Sequence, residues 1–419
     1  MSQLADDCFA HGEEMLTMAE ALAILRQRAT ILAGDRIDRV PLSEAAGRIL
    51  ADDLAATLEV PAHDNSAVDG YALRHGDLAD GEATRLTVVG RSAAGHPWSG
   101  TLDGGQAVRI FTGAVMPQGA DAVVMQEDAQ AEGDTVVVPP GLKPGANRRR
   151  MGEDSHQGDI VLPRGRRLKP QDLGLAASVG HARLPVYRRL RVAVFSTGDE
   201  LQDPGQPLQR GAVYDANRHI LGGLISGLGA EVSDLGILAD RLEAVRTALA
   251  EAAGGHDLLI TSGGVSVGDE DHVRTAVESL GNLHFWRLAI KPGRPLALGQ
   301  VRGTAFVGLP GNPVAATVCF LRFARPLILG LAGCAELEPL HYRVAAGFSF
   351  EKKAGRREWL RARLVLDGGE PRVERFDRQG SGIINSLVQT DGLVEIPEAV
   401  THLERGDAVD FLPFSEVVS

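Results

Sequence analysis

Apolar positions along this chain follow two spacings, and the switches between them divide it. Over residues 15–33, Leu22, Leu25, Ala29 and Leu32 recur at helical intervals and predict an amphipathic opening helix. A second helical piece is expected over Ser43 to Leu50, with Ser43 as its cap and Glu44 behind it. From about Ala56 to Asp154 the intervals shorten to alternation, in Leu86 to Val89, Ala107 to Phe111, Ala122 to Met125 and Thr135 to Val138, with Gly and Pro between them. That stretch reads as β-rich. Residues 159–188 are mixed again, and Pro170 opens a helix through Ser178. The simplest organisation is a β-rich domain inserted into a first, mixed one.

Residues 190–331 are far more regular. Strands are predicted at Leu190–Ser196, Glu231–Leu238, Leu258–Thr261, His284–Ile290 and Thr304–Gly308, and helices at Asn217–Leu228, Leu242–Ala253, His272–Leu280 and Pro313–Leu331. Their alternation implies a doubly wound, mainly parallel sheet covered on both faces. Residues 340–419 return to short strands, with turns at Asp367-Gly368-Gly369, Asp391-Gly392 and Arg405-Gly406-Asp407. The fold class that follows is multidomain α/β plus β. A mixed N-terminal domain covers 1–55 and 155–188, and an inserted β-rich domain covers 56–154. The α/β domain covers 189–338, and a small C-terminal β-barrel covers 339–419.

Size supports this division, because 419 residues exceed one ordinary core. Hydrophobic content of 44% and charged content of 23% are those of a soluble globular protein. The net charge of −12 leaves no excess of cations to neutralise a phosphate polymer, which argues against nucleic acid. Cations are instead local, at Arg148-Arg149-Arg150 and from Arg164 to Lys169, which suits a small polyanion. Cys8, Cys319 and Cys334 are sparse, odd in number and without metal-ligand spacing, so a reducing, cytoplasmic setting is expected. Met1 to Glu14 carries no signal-peptide pattern. The apolar run from Val314 to Leu331 is broken by Arg322, Arg325 and Pro326, so no membrane span is expected.

The chemistry gathers after the predicted α/β strands. Ser196-Thr197-Gly198-Asp199-Glu200 follows the first, Asp240-Arg241 the second and Thr261 to Asp271 the third. Lys291-Pro292-Gly293-Arg294-Pro295 follows the fourth, and Leu309-Pro310-Gly311-Asn312-Pro313 the fifth. In a parallel sheet these loops share one edge, where ligands of such folds bind. Thr261-Ser262-Gly263-Gly264 can converge backbone N–H groups on an anion, and the acids Asp269, Glu270 and Asp271 offer oxygen ligands to Mg²⁺. Each piece alone has a plainer explanation: a turn, a helix-terminal charge pair, solvated cations, or prolines between a strand and a helix. Their coincidence on one edge favours a metal-assisted phosphoryl site. Two loops of the β-rich stretch, His63 to Tyr71 and Asn147 to Asp154, also concentrate charge, although an ordinary turn and a surface salt-bridge cluster explain them equally well.

Four of these segments together resemble the molybdopterin molybdenumtransferase family, the molybdenum insertases that include the gephyrin E domain. They are Asp64-Asn65-Ser66-Ala67-Val68-Asp69-Gly70-Tyr71-Ala72, Phe195 to Leu201, Ser262 to Asp269, and Gly308-Leu309-Pro310-Gly311-Asn312-Pro313, and the resemblance covers nearly the whole chain. It implies four domains, a homodimer with shared sites, and Mg²⁺-dependent insertion of molybdate into adenylylated molybdopterin with release of AMP. Other cofactor-biosynthesis proteins are implied as further partners. By position, Glu200, Asp240 and Asp271 correspond to the family's active-site acids and metal ligands. Ser262, Gly263 and Gly264 would line the nucleotide phosphate. Ser266, Lys291 and Arg294 would lie near the pterin phosphate or molybdate, with Arg287 a further cation and Lys291 catalytic. Pro310, Asn312 and Pro313 belong to the same substrate-binding set. Asp69 (catalytic), Thr112, Arg149 and Asp154 match functional positions of the inserted domain, which would face the partner subunit, and Arg361 and Ser381 match positions in the terminal domain. Arg287 and Arg294 stand where many relatives carry Lys, which keeps the charge and changes the donor geometry.

Two alternatives compete with insertion. A molybdopterin adenylyltransferase would share the α/β domain and its Ser-Gly-Gly loop, yet the free-standing enzyme lacks both the Asp69 loop and the terminal β-domain. A non-catalytic scaffold of the gephyrin E-domain type would not need every acid on the predicted edge. A nicotinamide dehydrogenase is poorly supported, because no Gly-x-Gly-x-x-Gly follows the first strand.

Overall fold

Six strands form the central sheet: β1 Arg191–Thr197, β2 Glu231–Leu238, β3 Leu258–Ser262, β4 Gly281–Arg287, β5 Pro295–Val301 and β6 Thr304–Leu309. The computed structural model in which they lie describes residues 15–28, 36–264, 272–293 and 295–418. The strand order is β2-β1-β3-β6-β5-β4. β1 pairs in parallel with β2 and β3, and β3 with β6, while β5 runs antiparallel to both β6 and β4. Val192 and Val194 pack toward α1 Asn217–Gly227 and the helical run Pro313–Leu331. Ala193 and Phe195 pack instead toward α2 Leu242–Gly255 and α3 His272–Leu280. Burial on both faces is why these strands read as continuous apolar runs.

Two segments depart from the expected pattern. No strand is predicted over β5, because Pro292, Gly293 and Pro295 mark its start as loop. The chain nevertheless doubles back from β5 to β6 through Arg302 and Gly303, both at positive φ (49° and 79°), the backbone of a tight two-residue hairpin. Arg-Gly is not the usual Asn-Gly signal, so the turn leaves little trace in the sequence. The helix expected over Ser43 to Leu50 is absent. A single 3₁₀ turn, Leu42–Glu44, ends ahead of Gly47 (φ 72°), and Ile49 and Leu50 then pair with Arg167 and Val186. Fully burying Leu50 in extended backbone outweighs the Ser43 cap. The opening helix spans Met18–Arg28, and residues 29–33 of its predicted stretch lie outside the described residues.

The segments before and after the β-rich stretch meet. Ile37–Pro41 pairs antiparallel with Arg183–Tyr187, and Leu54–Ala55 with Ile160–Leu162, around Val40, Leu54, Leu162 and Val186. Between them lies a second six-stranded sheet with its own core, running from Ala122–Met125 at one edge through Gly70–Leu73, Gln106–Ile110 and Thr84–Ser92. At the C-terminus, Arg357–Asp367 pairs on one side with Glu370–Arg375 and on the other with Gly392–Ile396. With Tyr342–Ala346 and Ala408–Pro413 these strands close a small barrel. The barrel joins the α/β layer where Ile290 and Lys291 pair in parallel with Arg357 and Glu358.

The helical run Pro313–Leu331 is long and apolar enough to cross a membrane, with mean hydropathy 1.7, yet 94% of it is buried inside the protein. Its middle, Phe320–Ala324, is a π segment just ahead of Pro326, whose missing N–H interrupts the ladder. Cys319 and Cys334 are free and buried; burial pushes the Cys319 thiol up to about 12. Cys8 lies outside the described residues.

A buried ionic network ties the barrel to this helix. Glu395, 7% exposed, accepts from Trp359 Nε1 at 2.9 Å and Arg357 Nη1 at 2.6 Å, with Arg322 Nη2 at 3.6 Å and His341 Nε2 at 3.5 Å. Burial works to raise its carboxyl, but the nearby His341, the Arg322 and Arg357 charges and the Trp359 hydrogen bond prevail, holding it at about 2 against an ordinary 4.5. A carboxyl depressed on folding adds stability that is complete above its unfolded value and is lost as pH falls through its folded value. The contribution should therefore be full above about pH 4.5 and vanish toward pH 2. Glu395→Ala should cost about 3–5 kcal/mol near neutral pH, because among the described residues Arg322 is left buried with one carboxylate, Glu338, at 4.0 Å. Denaturant melts at pH 7 and pH 3 check this: the gap between wild type and variant should narrow in acid.

Candidate functional site

The C-terminal ends of β1, β2, β3, β6 and β4 and the start of β5 lie on one edge of the sheet, a consequence of the strand directions above. The loops singled out from the sequence therefore share that edge. Gly263 N donates to Leu309 O at 3.0 Å, which lays the turn after β3 against the loop after β6. Gly264 sits at φ 64°, where a Cβ would stand 2.5 Å from Thr197 Oγ1 and 2.8 Å from Val273 Cγ2. A side chain at that position would break the approach of three elements.

Opposite this edge stands the barrel, and between the two opens a cleft of about 650 Å³. Gly263, Gly264, Lys291, Pro310 and Asn312 line one wall, and Glu358, Trp359, Arg361, Gln379 and Ser381 line the other. Ser262 and Pro313 sit just behind the first wall, Ser262 buried at the end of β3 and Pro313 opening its helix. Val314 N donates to Ser381 O at 2.9 Å, tying the walls together.

Two cations face the cleft in different states. Lys291, with 58% of its side chain exposed, reaches Glu358 Oε2 at 3.1 Å, and Glu358 itself is 3% exposed. Arg361 is 1% exposed, donating from Nε to Ser386 Oγ at 3.0 Å and from Nη2 to Gly380 O at 3.1 Å. No carboxylate among the described residues pairs with it. Burial alone pulls its pKa down from the ordinary arginine value to about 10. A desolvated guanidinium without a counter-charge is expensive in a resting fold, and its natural complement is an anion.

The acids lie to the side of this cleft. Glu200 follows β1, and its carboxylate folds over Gly198, where a Cβ would come within 2.5 Å of Oε2. Its loop is pinned by Arg218, nearly buried, which reaches Asp215 at 3.0 Å, Asp234 at 2.5 Å and also Asp203. Asp240 follows β2 and is half-buried. Among the described residues no three His, Cys, Asp or Glu side chains are grouped to hold a metal unaided. Glu200 and Asp240 remain compatible with Mg²⁺, which takes one or two protein carboxylates and completes its shell with substrate phosphates and water. Ser266, Asp271 and Arg294 lie outside the described residues. Arg287 is exposed at the end of β4 and is not among the described residues lining the cleft.

The inserted sheet carries its own polar face. Asp69 Oδ1 accepts from Thr112 N and Thr112 Oγ1, both at 2.7 Å, and these bonds, the backbone one foremost, hold its carboxyl below the ordinary 3.8. Arg109 stacks on Tyr71 and Phe111 at 5.0 and 4.8 Å. Arg149 pairs with Glu153, and Asp154 is exposed. Neither they nor Asp69 and Thr112 line the cleft of this chain.

Glu358, Trp359 and Gln379 were not anticipated. Within the strand Arg357-Glu358-Trp359-Leu360-Arg361 charged and apolar residues do not alternate, so its sequence marks no face, yet Glu358, Trp359, Leu360 and Arg361 all border the cleft. Asn217, at the start of α1, carries no signal in the sequence beyond a helix boundary.

Comparison with known proteins covers this whole arrangement. Residues 16–180 match the MoeA N-terminal region (domain I and II), 193–330 a probable molybdopterin binding domain, and 343–414 the MoeA C-terminal region (domain IV). The chain is 40% identical over 380 residues to the molybdopterin molybdenumtransferase of Haemophilus influenzae, covering 90% of this chain and 94% of that one. It is 38% identical to the Nostoc enzyme of the same name, covering 88% and 87%. The crystal structure of the molybdopterin biosynthesis moeA protein from Pyrococcus horikoshii OT3 superposes with a TM-score of 0.81 at 29% identity, over 95% of this chain and 99% of that one.

Proposed function

Since this chain belongs to the molybdopterin molybdenumtransferase family, we propose that it is a molybdenum insertase of molybdenum cofactor biosynthesis, acting in the cytoplasm on molybdate and adenylylated molybdopterin and releasing AMP. One observation above all supports this: Arg361, buried and without a carboxylate partner among the described residues, shares one wall of the cleft with Ser381 and faces a wall that carries Lys291 and a glycine turn. Molybdate is a dianion and the adenylylated pterin carries several negative charges, so bringing them together is opposed by Coulomb repulsion that a dry site magnifies. Arg361 and Lys291 offset that repulsion for the oxyanion. The Ser262-Gly263-Gly264 turn, with Gly263 N held by Leu309 O, lies against the nucleotide phosphate, and the loop through Pro310, Asn312 and Pro313 keeps it in register. Ser266 and Arg294 complete the anion contacts, with Arg287 at the rim. Glu200, Asp240 and Asp271 would hold Mg²⁺, which supplies charge neutralisation and polarisation of the adenylyl phosphorus. Catalysis is then positioning and electrostatics, with no protein nucleophile.

Asp69, Thr112, Arg149 and Asp154 act, in this reading, across a homodimer, completing the partner's site. Mixing equal amounts of an Asp69→Ala chain and a Glu200→Ala chain should restore one intact site per heterodimer, about a quarter of wild-type activity after random subunit exchange. No recovery in a mixture shown to exchange subunits would count against shared sites.

Insertion itself is tested by incubating the protein with adenylylated molybdopterin, Mg²⁺ and molybdate while following AMP release and reconstitution of an apo-molybdoenzyme. Molybdate-dependent AMP release is the expected result. Adenylylation of molybdopterin from ATP without any molybdate response would overturn the reading in favour of an adenylyltransferase.

A further inference from the structure

Asn217 is the first residue of α1, on the loop that returns from Glu200. Its Nδ2 donates to Ser262 Oγ at 2.8 Å and to Gly311 O at 2.7 Å. Ser262 Oγ in turn donates to Pro310 O at 3.0 Å. The Gly311 carbonyl can only accept, and Ser262 spends its proton on Pro310, so both contacts demand the amide nitrogen. One planar carboxamide therefore bridges the loops after β1, β3 and β6. Those loops nearly touch: a Cβ on Gly311 would lie 3.7 Å from Gly263 Cα.

Among the described residues the other end of the same amide has no partner: Asn217 Oδ1 is buried and accepts no hydrogen bond from them. An unsatisfied buried acceptor costs about 1–3 kcal/mol, so the group is not optimal for stability alone. Its two donors are the part in use, and both act on the walls of the cleft.

We infer that Asn217 is a positioning residue: its carboxamide holds the Ser262–Gly264 turn and the Pro310–Asn312 loop at the spacing a phosphate requires, without itself touching the substrate. The inference rests on the proposed insertion reaction and adds to it the device that sets the cradle's width. The molybdate side of the cleft, at Lys291 and Arg361, makes no bond to Asn217, so the two halves should respond differently to its loss.

The test uses the full chain with Asn217→Ala and Asn217→Asp. AMP binding is measured by calorimetry with Mg²⁺, and AMP release is titrated separately against adenylylated molybdopterin and against molybdate. Asn217→Ala should raise the AMP Kd and the KM for the adenylylated pterin roughly tenfold, the loss of two neutral hydrogen bonds, with half-saturating molybdate unchanged. Asn217→Asp keeps the shape and should be worse, because a carboxylate oxygen would then face the Gly311 carbonyl. Thermal melts of both variants separate positioning from general loosening. Wild-type AMP affinity and KM in both variants, or equal shifts in every parameter alongside a fallen melting temperature, would overturn the inference while an active wild type left the insertion reading standing. A wild type that neither binds nor releases AMP would overturn both.

Discussion

Arg361→Gln should leave the protein as stable as before, or more so, and should abolish most of its affinity for molybdate. The guanidinium is buried, meets no carboxylate among the described residues, and is pulled by burial to a pKa of about 10. A base whose pKa falls on folding costs stability wherever it is charged, and that cost is relieved only as pH rises above about 10 toward the ordinary arginine value. Glutamine removes the charge and keeps a donor within reach of Ser386 or Gly380. Losing a charge-assisted bond of about 1.5–3 kcal/mol should weaken molybdate by on the order of 100-fold. Thermal melts paired with a molybdate titration check both halves. A clear fall in stability with unchanged molybdate affinity would make Arg361 a structural residue of the barrel instead.

Lys291→Ala should have a comparable effect for a compound reason. The lysine offers a cation to the cleft, and it also neutralises Glu358, which is buried 3.1 Å away. Removing it takes one positive charge from the oxyanion and leaves a carboxylate in its path. Half-saturating molybdate should rise on the order of 100-fold, since truncating one member of a partly buried charge pair commonly costs about 2–5 kcal/mol. Adding Glu358→Gln should recover about tenfold of that loss by removing the stranded charge. AMP release titrated with molybdate in the four proteins of this cycle gives the answer. Equal half-saturation in wild type and Lys291→Ala would take Lys291 out of the oxyanion site, and strictly additive effects would uncouple it from Glu358.

The half of the cleft that belongs to the α/β layer is legible from sequence, and the half that belongs to the barrel is not. Strand, polar loop and helix alternate so regularly from Leu190 to Leu331 that a parallel sheet is nearly forced, and a parallel sheet brings the loops after its strands to one edge. Gly263, Gly264, Lys291, Pro310 and Asn312 follow from that alone. Glu358 and Trp359 reach the same cleft only because Ile290–Lys291 pairs with a strand that begins 67 residues later, a contact with no local signature. The β5–β6 hairpin was hidden by an Arg-Gly turn. Asn217 was hidden because asparagine at a helix start needs no special explanation. Arg361 and Ser381 came from family resemblance, and it is the burial of Arg361 that gives its placement a physical reason.

The claim that the cleft between sheet edge and barrel is the oxyanion site is tested most directly by anomalous diffraction at the molybdenum edge from a crystal soaked in molybdate. The expected result is one strong peak within hydrogen-bonding distance of the Arg361 guanidinium, with Lys291 and Ser381 beside it, and loss of that peak in Arg361→Gln. A molybdenum peak elsewhere, on the inserted sheet or at the Glu200 and Asp240 edge, with the cleft empty, would contradict it.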